Sequence, residues 1–196
     1  MKLTKFLLEL SRLKNMPRTG WLFCNVPLPE VEDVAQHSFE VATVTMFLAD
    51  ELAKAGEKVN RERAIRIALI HDWAETKVAD FPYTAMKYLK PAEAKQLMEL
   101  EALRELLKGL SEGEEYLKLW EEYREKKTIE SKLVHAADYL SILIQAVKYS
   151  ERGVKSRELG ELWEAVLKDL EPYVEEFKIV AQIANELKFF FAAPVK

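Results

Sequence analysis

Apolar residues recur at intervals of three and four positions along most of the chain, which is the spacing of one face of an α-helix. The first such stripe, which ends near Pro17, consists of Leu3, Phe6, Leu7, Leu10 and Leu13. Two-residue alternation, the pattern of a half-buried strand, is not convincing in any segment, and no internal repeat is found. The pattern predicts seven to nine helices in an all-α fold.

Caps, prolines and glycines predict where the helices begin and end. Asn60 is a predicted N-cap, Thr128 opens a later helix, and Ser111 with Glu114 forms a capping-box pattern. Pro91 suits the first turn of a helix. After a loop over residues 17–33, the predicted helices are 34–56, 61–78, 91–110, 114–126, 129–150, 156–170 and 172–191.

Composition narrows the possible classes of protein. The chain has 196 residues, of which 49% are apolar, and this favours one packed domain over residues 1–196. Its 29 basic and 33 acidic residues give a net charge of −4 without a basic stripe, which disfavours nucleic-acid binding. The single cysteine, Cys24, excludes an internal disulfide. No signal peptide is recognisable and no apolar run approaches the ~20 residues of a membrane span, so we expect a cytoplasmic protein.

The stretch ALIHDWAETKVADFP, residues 68–82, carries the first candidate chemistry. His71 and Asp72 follow an apolar run, and Glu75 comes one helical turn later. A buried carboxylate is costly unless it is paired or bound to a metal, and imidazole with carboxylate suits a divalent transition ion. Taken alone, a His–Asp pair is more often an ordinary helix surface, and Glu75 a solvated charge.

Two further polar residues lie on other apolar helices. His37 is flanked by valines, and Asp138 lies in the almost wholly apolar segment LVHAADYLSILIQAV. Separately, His37 could be a core histidine and Asp138 the buried partner of an arginine or lysine. Together with His71 and Asp72 they predict a metal site of two histidines and two carboxylates. His135, the remaining histidine, is interpreted as a core residue or as support for a ligand.

The order H…HD…D on successive helices resembles the HD-domain phosphohydrolases. HDWAETKVADFP is similar to a block of the HD-domain 5′-deoxynucleotidases, and RLKNMPRTGWLFCNV…EDVAQHSFEVA is similar to their N-terminal segment. The resemblance covers about residues 5–150. It implies a helical HD-domain bundle with a metal-binding core over about 18–150. The C-terminal helices, 156–191, are expected to complete the core and to contribute to a homodimer interface.

The resemblance also implies roles for individual residues in metal binding. One divalent ion would bind to His37, His71, Asp72 and Asp138, with Mn²⁺ or Co²⁺ foremost and Zn²⁺, Ni²⁺, Cu²⁺, Mg²⁺ or Fe²⁺ as alternatives. Glu75 would exchange a proton with the attacking water or the leaving oxygen.

Three more residues are expected to contact the substrate. Arg18 would bind the 5′-phosphate, Trp21 would stack on the base or sugar, and Asp80 would take part in catalysis and contact the sugar side. Without the resemblance, Arg18 is a solvated loop arginine and Trp21 packs the loop. The spacing RTGW differs from that of the bacterial enzymes, in which the arginine and tryptophan are adjacent.

These residues predict an enzyme that hydrolyses deoxynucleoside 5′-monophosphates to a deoxynucleoside and phosphate. One alternative is another HD phosphohydrolase, acting on a nucleoside triphosphate, an alarmone or a cyclic nucleotide. The other is a non-catalytic helical module that binds a nucleotide or a partner. At the C-terminus, Phe189, Phe190 and Phe191 are expected to supply one or two core residues and a contact to a partner subunit.

Overall fold

The structure, a computed structural model, describes residues 2–91 and 93–192, and within these ranges it is helical. The α-helices are α1 Lys2–Leu10, α2 Gly20–Phe23, α3 Val34–Lys54, α4 Arg61–Ile70, α5 Glu75–Val78, α6 Ala94–Leu107, α7 Gly113–Glu125, α8 Ile129–Glu151, α9 Arg157–Glu176 and α10 Lys178–Ala192. Short 3₁₀ helices cover Ser11–Asn15, Leu28–Glu30 and Tyr83–Tyr88. Extended pairing in the described ranges is limited to one isolated bridge between Pro17 and Asp33. The all-α prediction is confirmed.

Helices α3, α4 and α8 pack against one another and form the centre of the molecule. Leu48, Ile67 and Leu140, one from each of these helices, are almost completely buried. Helices α9 and α10 pack on α8 and on each other, so α8 has neighbours on several sides. This explains why its sequence is apolar nearly all round. Among the described residues, no helix combines the length and hydropathy required to cross a bilayer.

Each of the three central helices begins with a side-chain cap. Asp33 accepts a hydrogen bond from the backbone N–H of Gln36 at 2.7 Å and completes a capping box at the start of α3. Asn60 caps α4 and Thr128 caps α8, each by accepting from a backbone N–H three residues ahead. The predicted starts at Asn60 and Thr128 are confirmed. The caps satisfy backbone N–H groups that would otherwise lack partners.

The predicted continuous helix over 61–78 is wrong, because α4 ends at Ile70 and the chain turns before α5. In a continuing helix the carbonyl of Ala68 would accept from the backbone N–H of Asp72. Instead, the Nδ1 atom of His71 lies 2.7 Å from that carbonyl oxygen. The following backbone bonds join residues three apart, such as Trp73 N–H to Ile70 O at 3.0 Å, which winds the chain more tightly.

Two other predicted helix starts are wrong. Helix α7 begins at Gly113 after Glu112, without a side-chain cap, so Ser111 and Glu114 form no capping box. The backbone of Gly113 lies so close to α6 that a Cβ there would be 2.9 Å from the carbonyl oxygen of Leu107. This close approach places the start of α7 at the glycine. Pro91 precedes α6, which begins at Ala94, and its carbonyl accepts from the N–H of Ala94 at 2.9 Å.

The predicted helix boundary at Pro172 is also wrong, because α9 runs through this residue to Glu176 and the chain breaks at Phe177. A proline inside a helix lacks the N–H group and crowds the preceding turn, at a cost of about 3 kcal/mol. The buried face of α9 continues past the proline from Leu170 to Tyr173. Burial of such side chains is worth about 1.5–3 kcal/mol each, and it outweighs the cost.

The apolar stripes at the two ends are only partly buried. In the N-terminal stripe Phe6 and Leu13 are buried, whereas Leu3 and Leu7 are exposed. At the other end, the ring of Phe191 stacks on Trp163 with the ring centroids 3.9 Å apart. Phe191 therefore adds to the core, as expected of one of the three phenylalanines, and Phe189 and Phe190 remain exposed.

Candidate active site

Four predicted metal ligands from separate elements converge at one point. His37 lies on α3, His71 and Asp72 follow α4, and Asp138 lies on α8. The Nε2 atom of His37 is 3.1 Å from Oδ1 of Asp138 and 3.6 Å from Oδ2 of Asp72. The Nε2 atom of His71 is 3.1 Å from the same Oδ2 of Asp72. The ligand atoms of His37, His71 and Asp72 all lie within 4.8 Å of one another.

Hydrogen bonds orient both imidazole rings. The Nδ1 atom of His71 faces the carbonyl oxygen of Ala68, which can only accept, so Nδ1 carries the proton. The hydroxyl of Ser141 donates to the carbonyl of Asp138 at 3.1 Å, which leaves its oxygen to accept from Nδ1 of His37 at 3.0 Å. In the neutral state each ring therefore presents the lone pair of Nε2 to the centre of the site. This is the orientation that metal-binding histidines adopt.

The atoms at the centre lack hydrogen-bond partners. His37 Nε2, His71 Nε2 and Asp72 Oδ2 are buried without a donor or acceptor. Lone pairs of nitrogen and oxygen that face one another at 3.1–3.6 Å repel, and a cation among them removes the repulsion. Two imidazoles and two carboxylates are ligands that suit a divalent transition ion. The residues therefore fit the metal site that the sequence predicts.

The charges of the site keep Asp72 and Asp138 ionised. Burial alone would raise the pKa of Asp72, but the charges of His71, Arg18 and His37 outweigh it and hold this pKa well below its ordinary value. For Asp138 burial is likewise outweighed, first by the contact with His37. Burial alone would lower the pKa of His71, but Asp72 outweighs it and raises the pKa to about 9. The site thus favours positive charge at its centre, as a proton or as a metal ion that displaces it.

Tyr123 supports Asp138 from α7. Its hydroxyl donates to Oδ2 of Asp138 at 3.1 Å, which leaves Oδ1 directed toward His37. His135 packs against this tyrosine with the ring centroids 4.0 Å apart, and its Nε2 donates to the carbonyl of Tyr123 at 2.8 Å. Burial lowers the pKa of His135 to about 4, so the ring is neutral. From the sequence His135 is either a core residue or support for a ligand, and no signal distinguishes Tyr123 from other aromatic residues on α7.

Glu75 lies in the first turn of α5 and is only 3% exposed. Its backbone N–H donates to the carbonyl of Asp72 at 3.0 Å, which keeps it beside the metal ligands. One carboxylate oxygen, Oε2, has no hydrogen-bond partner. Burial and then the negative charge of Asp72 raise the pKa of Glu75 well above its ordinary value. A carboxyl group with a raised pKa and a free oxygen is suited to proton transfer.

Arg18 is 16% exposed, with its guanidinium beside the ligand group rather than in solvent. Its Nη1 atom is 3.0 Å from Oδ1 of Asp80 and 3.6 Å from Oδ2 of Asp72. Asp80 also accepts hydrogen bonds at 2.7 Å from both the backbone N–H and the hydroxyl of Thr19. The carboxylate of Asp80 thus ties the loop that carries Arg18 to the end of α5. The sequence indicates no such role for Thr19.

Trp21 is buried, at 3% exposure, although it lines the cavity onto which Arg18 and Asp72 also open. Its indole N–H donates to Oε1 of Glu32 at 2.7 Å, and its ring meets Tyr149 edge-on with centroids 5.0 Å apart. These contacts show that Trp21 packs the loop, which is the role expected of it without the family resemblance. A contact with the sugar or base stays a prediction.

A cavity of about 430 Å³ opens onto this group of residues, with His37 buried behind its wall. This volume falls in the range of small-molecule sites, roughly 300–1,000 Å³. Arg18, Asp72, Glu75, Asp80 and Asp138 all line it, so the predicted metal and substrate residues share one opening.

Residues 10–177 match the family model described as an HD domain. The chain belongs to the HD-domain family. A human relative in this family, 5′-deoxynucleotidase HDDC2, is 33% identical over 165 residues, which cover 83% of this chain and 76% of that protein.

Two solved structures agree with the observed fold. A conserved hypothetical protein from Pyrococcus furiosus is 38% identical and superposes with a TM-score of 0.77 over 93% of this chain and 99% of that one. An HD-domain phosphohydrolase from Listeria innocua has a TM-score of 0.80, over 97% of this chain and 90% of that one. At 21% identity this second likeness shows the fold alone.

Proposed function

We propose that this HD-domain protein is a metal-dependent phosphomonoesterase that hydrolyses deoxynucleoside 5′-monophosphates to a deoxynucleoside and phosphate. The observation that carries the proposal is the set of unpartnered atoms of His37, His71 and Asp72, of which the last two residues line one cavity with Arg18 and Glu75. The similarity to HDDC2, which is named a 5′-deoxynucleotidase, supports the substrate class.

His37, His71, Asp72 and Asp138 would hold the metal ion. When bound, a divalent ion polarises a phosphoryl oxygen and lowers the pKa of a bound water. The resemblance favours Mn²⁺ or Co²⁺, and the mixed nitrogen and oxygen ligands are compatible with either.

Arg18 is suited to bind the 5′-phosphate, because a guanidinium can donate to two phosphate oxygens at once. Its contacts with Asp80 and Asp72 place it next to the ligands, where the phosphorus of a substrate would lie. In this proposal Asp80 orients Arg18 in addition to its predicted action on the sugar side, and Trp21 borders the sugar or base.

Glu75 would carry out the proton transfer during hydrolysis. Hydrolysis forms a bond between a water oxygen and phosphorus and breaks the bond from phosphorus to the 5′ oxygen. Oε2 of Glu75 accepts the proton that the water loses, and Glu75 then donates that proton to the leaving 5′ oxygen. The absence of a competing hydrogen bond at Oε2 supports this role.

A phosphate-release assay tests the proposal. Protein stripped with a chelator is supplied with Mn²⁺ or Co²⁺ and with deoxynucleoside and ribonucleoside mono- and triphosphates. We expect release from deoxynucleoside monophosphates, and a loss of about 10³-fold or more in Asp72→Asn, since a metal ligand is replaced. Asp50→Asn is the matched control, because Asp50 lies on the exposed side of α3 and pairs with Arg61 at 3.0 Å.

Three outcomes would contradict the proposal. Turnover in Asp72→Asn equal to that of the unaltered protein would show that hydrolysis does not need the metal site. Preferred cleavage of triphosphates or cyclic nucleotides would favour another HD phosphohydrolase. Metal binding without any turnover would favour a non-catalytic module.

Homodimerisation and a cytoplasmic location stay predictions from the sequence. The exposed Phe189 and Phe190 support homodimerisation.

A further inference from the structure

Lys95 lines the active-site cavity from the first turn of α6. Its ammonium nitrogen is 3.2 Å from Oε1 of Glu99, one turn further along the helix, and its side chain is 23% exposed. Burial alone would lower the pKa of Lys95, but Glu99 and then Glu75 and Asp72 outweigh burial and raise it. Lys95 is therefore charged at neutral pH and lies within the electrostatic reach of the reaction centre.

Glu99 has a second cationic partner, so it does not depend on Lys95. Its Oε2 atom is 4.0 Å from Nη1 of Arg124, whose guanidinium carbon lies 5.8 Å from the centroid of the Trp120 ring. A nearly buried carboxylate that loses its last partner is strongly destabilising. Because Arg124 remains beside Glu99, the flexible stem of Lys95 can swing its ammonium toward a ligand without that cost.

The side chains of Lys95 and Arg124 add positive charge to the cavity beside Arg18. The carboxylates that line it are Asp72, Glu75, Asp80, Glu99 and Asp138, and the cations are Arg18, Lys95 and Arg124. Arg18 is already shared between Asp80 and Asp72, and Arg124 contacts Glu99. A phosphomonoester adds about two negative charges at neutral pH. Because Arg124 stays beside Glu99, the ammonium of Lys95 can turn toward the phosphate at the end of its flexible stem.

We propose that Lys95 binds the phosphate group, by donating from its ammonium to a non-bridging oxygen of the substrate and of the phosphate product. The inference rests on the proposed function, because it places the phosphate at the metal site. A purely structural salt bridge with Glu99 makes a different prediction, namely that loss of either partner has the same effect.

Binding of inorganic phosphate to the Mn²⁺-loaded protein separates these roles. Calorimetric titration gives its Kd, and competitive inhibition of hydrolysis gives its inhibition constant. In Lys95→Met we expect both constants, and the KM of a deoxynucleoside monophosphate, to rise about 10- to 100-fold, as for loss of a charged hydrogen bond. Lys95→Arg should restore phosphate binding to within about threefold, since it keeps the positive charge.

Glu99→Gln supplies the decisive comparison. This substitution removes the negative charge of Glu99 and retains Lys95. The affinity for phosphate should therefore be equal to that of the unaltered protein or higher. Lys77→Met is the matched control, because Lys77 also forms ion pairs, at 3.3 Å to Glu9 and 3.2 Å to Glu105, and it does not line the cavity. Its phosphate Kd should not change. Thermal unfolding of each variant shows whether it is folded.

The inference is overturned if Lys95→Met binds phosphate like the unaltered protein, or if Lys95→Met and Glu99→Gln weaken binding equally. It is also overturned if the metal-loaded protein binds no phosphate. Calorimetry does not require turnover, so failure of the proposed function is seen separately. Protein that binds phosphate through Lys95 but releases none from deoxynucleoside monophosphates would refute the substrate assignment and retain Lys95 as an anion ligand.

Discussion

Tyr123, for which the sequence predicts no role, orients Asp138, which the sequence predicts as a metal ligand. Its hydroxyl holds one oxygen of Asp138, and the other oxygen is then directed at His37. In Tyr123→Phe this bond is lost while the ring still stacks on His135. We expect the fold to persist and the Kd for Mn²⁺ to rise about 10-fold, the lower end of the range for such supporting residues. Titration against a chelator of known affinity measures this change.

The control for this variant is Tyr116→Phe on the same helix. The ring of Tyr116 packs edge-on against Trp73 with centroids 5.4 Å apart, away from the carboxylates of the site. Its substitution should leave the Mn²⁺ affinity unchanged. An equal affinity in Tyr123→Phe would mean that Asp138 keeps its orientation without the tyrosine.

The ligand residues could be predicted from the sequence and their supports could not. Imidazole and carboxylate groups are rare on apolar helices, so His37 and Asp138 stand out in their segments. The sequence thus indicates the four residues that the structure brings together. Tyr123, Ser141 and Lys95 carry groups that are common on helices, and their roles follow only from contacts with other elements or from a place in the cavity wall.

Among the elements, the starts of α4 and α8 could be predicted from the sequence, because each begins at a side-chain cap. The caps at Asn60 and Thr128 act within three residues, so the sequence contains the whole interaction. The end of α4 depends on a side chain that competes for a backbone carbonyl, when His71 takes the place of a helical N–H at Ala68. Periodicity does not detect that competition, because apolar spacing continues unbroken through Ile70 and Ala74.

Helix α9 offers a test of how packing overrides a helix breaker. Pro172 lies within the helix, where it removes one backbone hydrogen bond. Pro172→Ala should restore that bond and raise the free energy of unfolding by about 1–2 kcal/mol, after the greater flexibility of the unfolded chain is subtracted. Urea denaturation monitored by circular dichroism measures the change.

Glu171→Ala, at the neighbouring exposed position, is the control for this substitution. It should change the free energy of unfolding by less than about 0.5 kcal/mol. A loss of stability in Pro172→Ala would show that the buried face from Leu170 to Tyr173 requires the proline geometry.

At the scale of the whole molecule, acidic groups occupy two faces with different roles. One set lines the cavity of the proposed active site together with Arg18, His71, Lys95 and Arg124. Another group lies on the far side of the Trp21 loop, where Glu32 accepts from the indole and Glu40 on α3 is half-buried nearby. None of the proposed metal ligands belongs to this second group, so the titration of Glu40 reports on the fold rather than on the active site.

Glu40 should make the protein less stable as the pH rises. Burial, and then the charge of Glu32, raise the pKa of Glu40 from 4.5 to about 7 against the opposing effect of Lys148. Between these two values the folded state binds more protons than the unfolded chain, so the free energy of unfolding falls with rising pH. Glu40→Gln removes this proton uptake. From pH 5 to pH 8 we expect the variant to lose about 1–2 kcal/mol less stability than the unaltered protein, since each pKa unit is worth about 1.4 kcal/mol and solvent screens part of it.

Urea denaturation at pH 5, 6, 7 and 8 measures the two curves under the same conditions. Other titrating groups, including His71, contribute equally to both proteins and cancel in the difference. Glu51→Gln on the same helix is the control, because Glu51 is exposed and pairs with Lys54. Its curve should follow that of the unaltered protein. Parallel curves for Glu40→Gln would show that Glu40 ionises in the folded state as readily as in the unfolded chain.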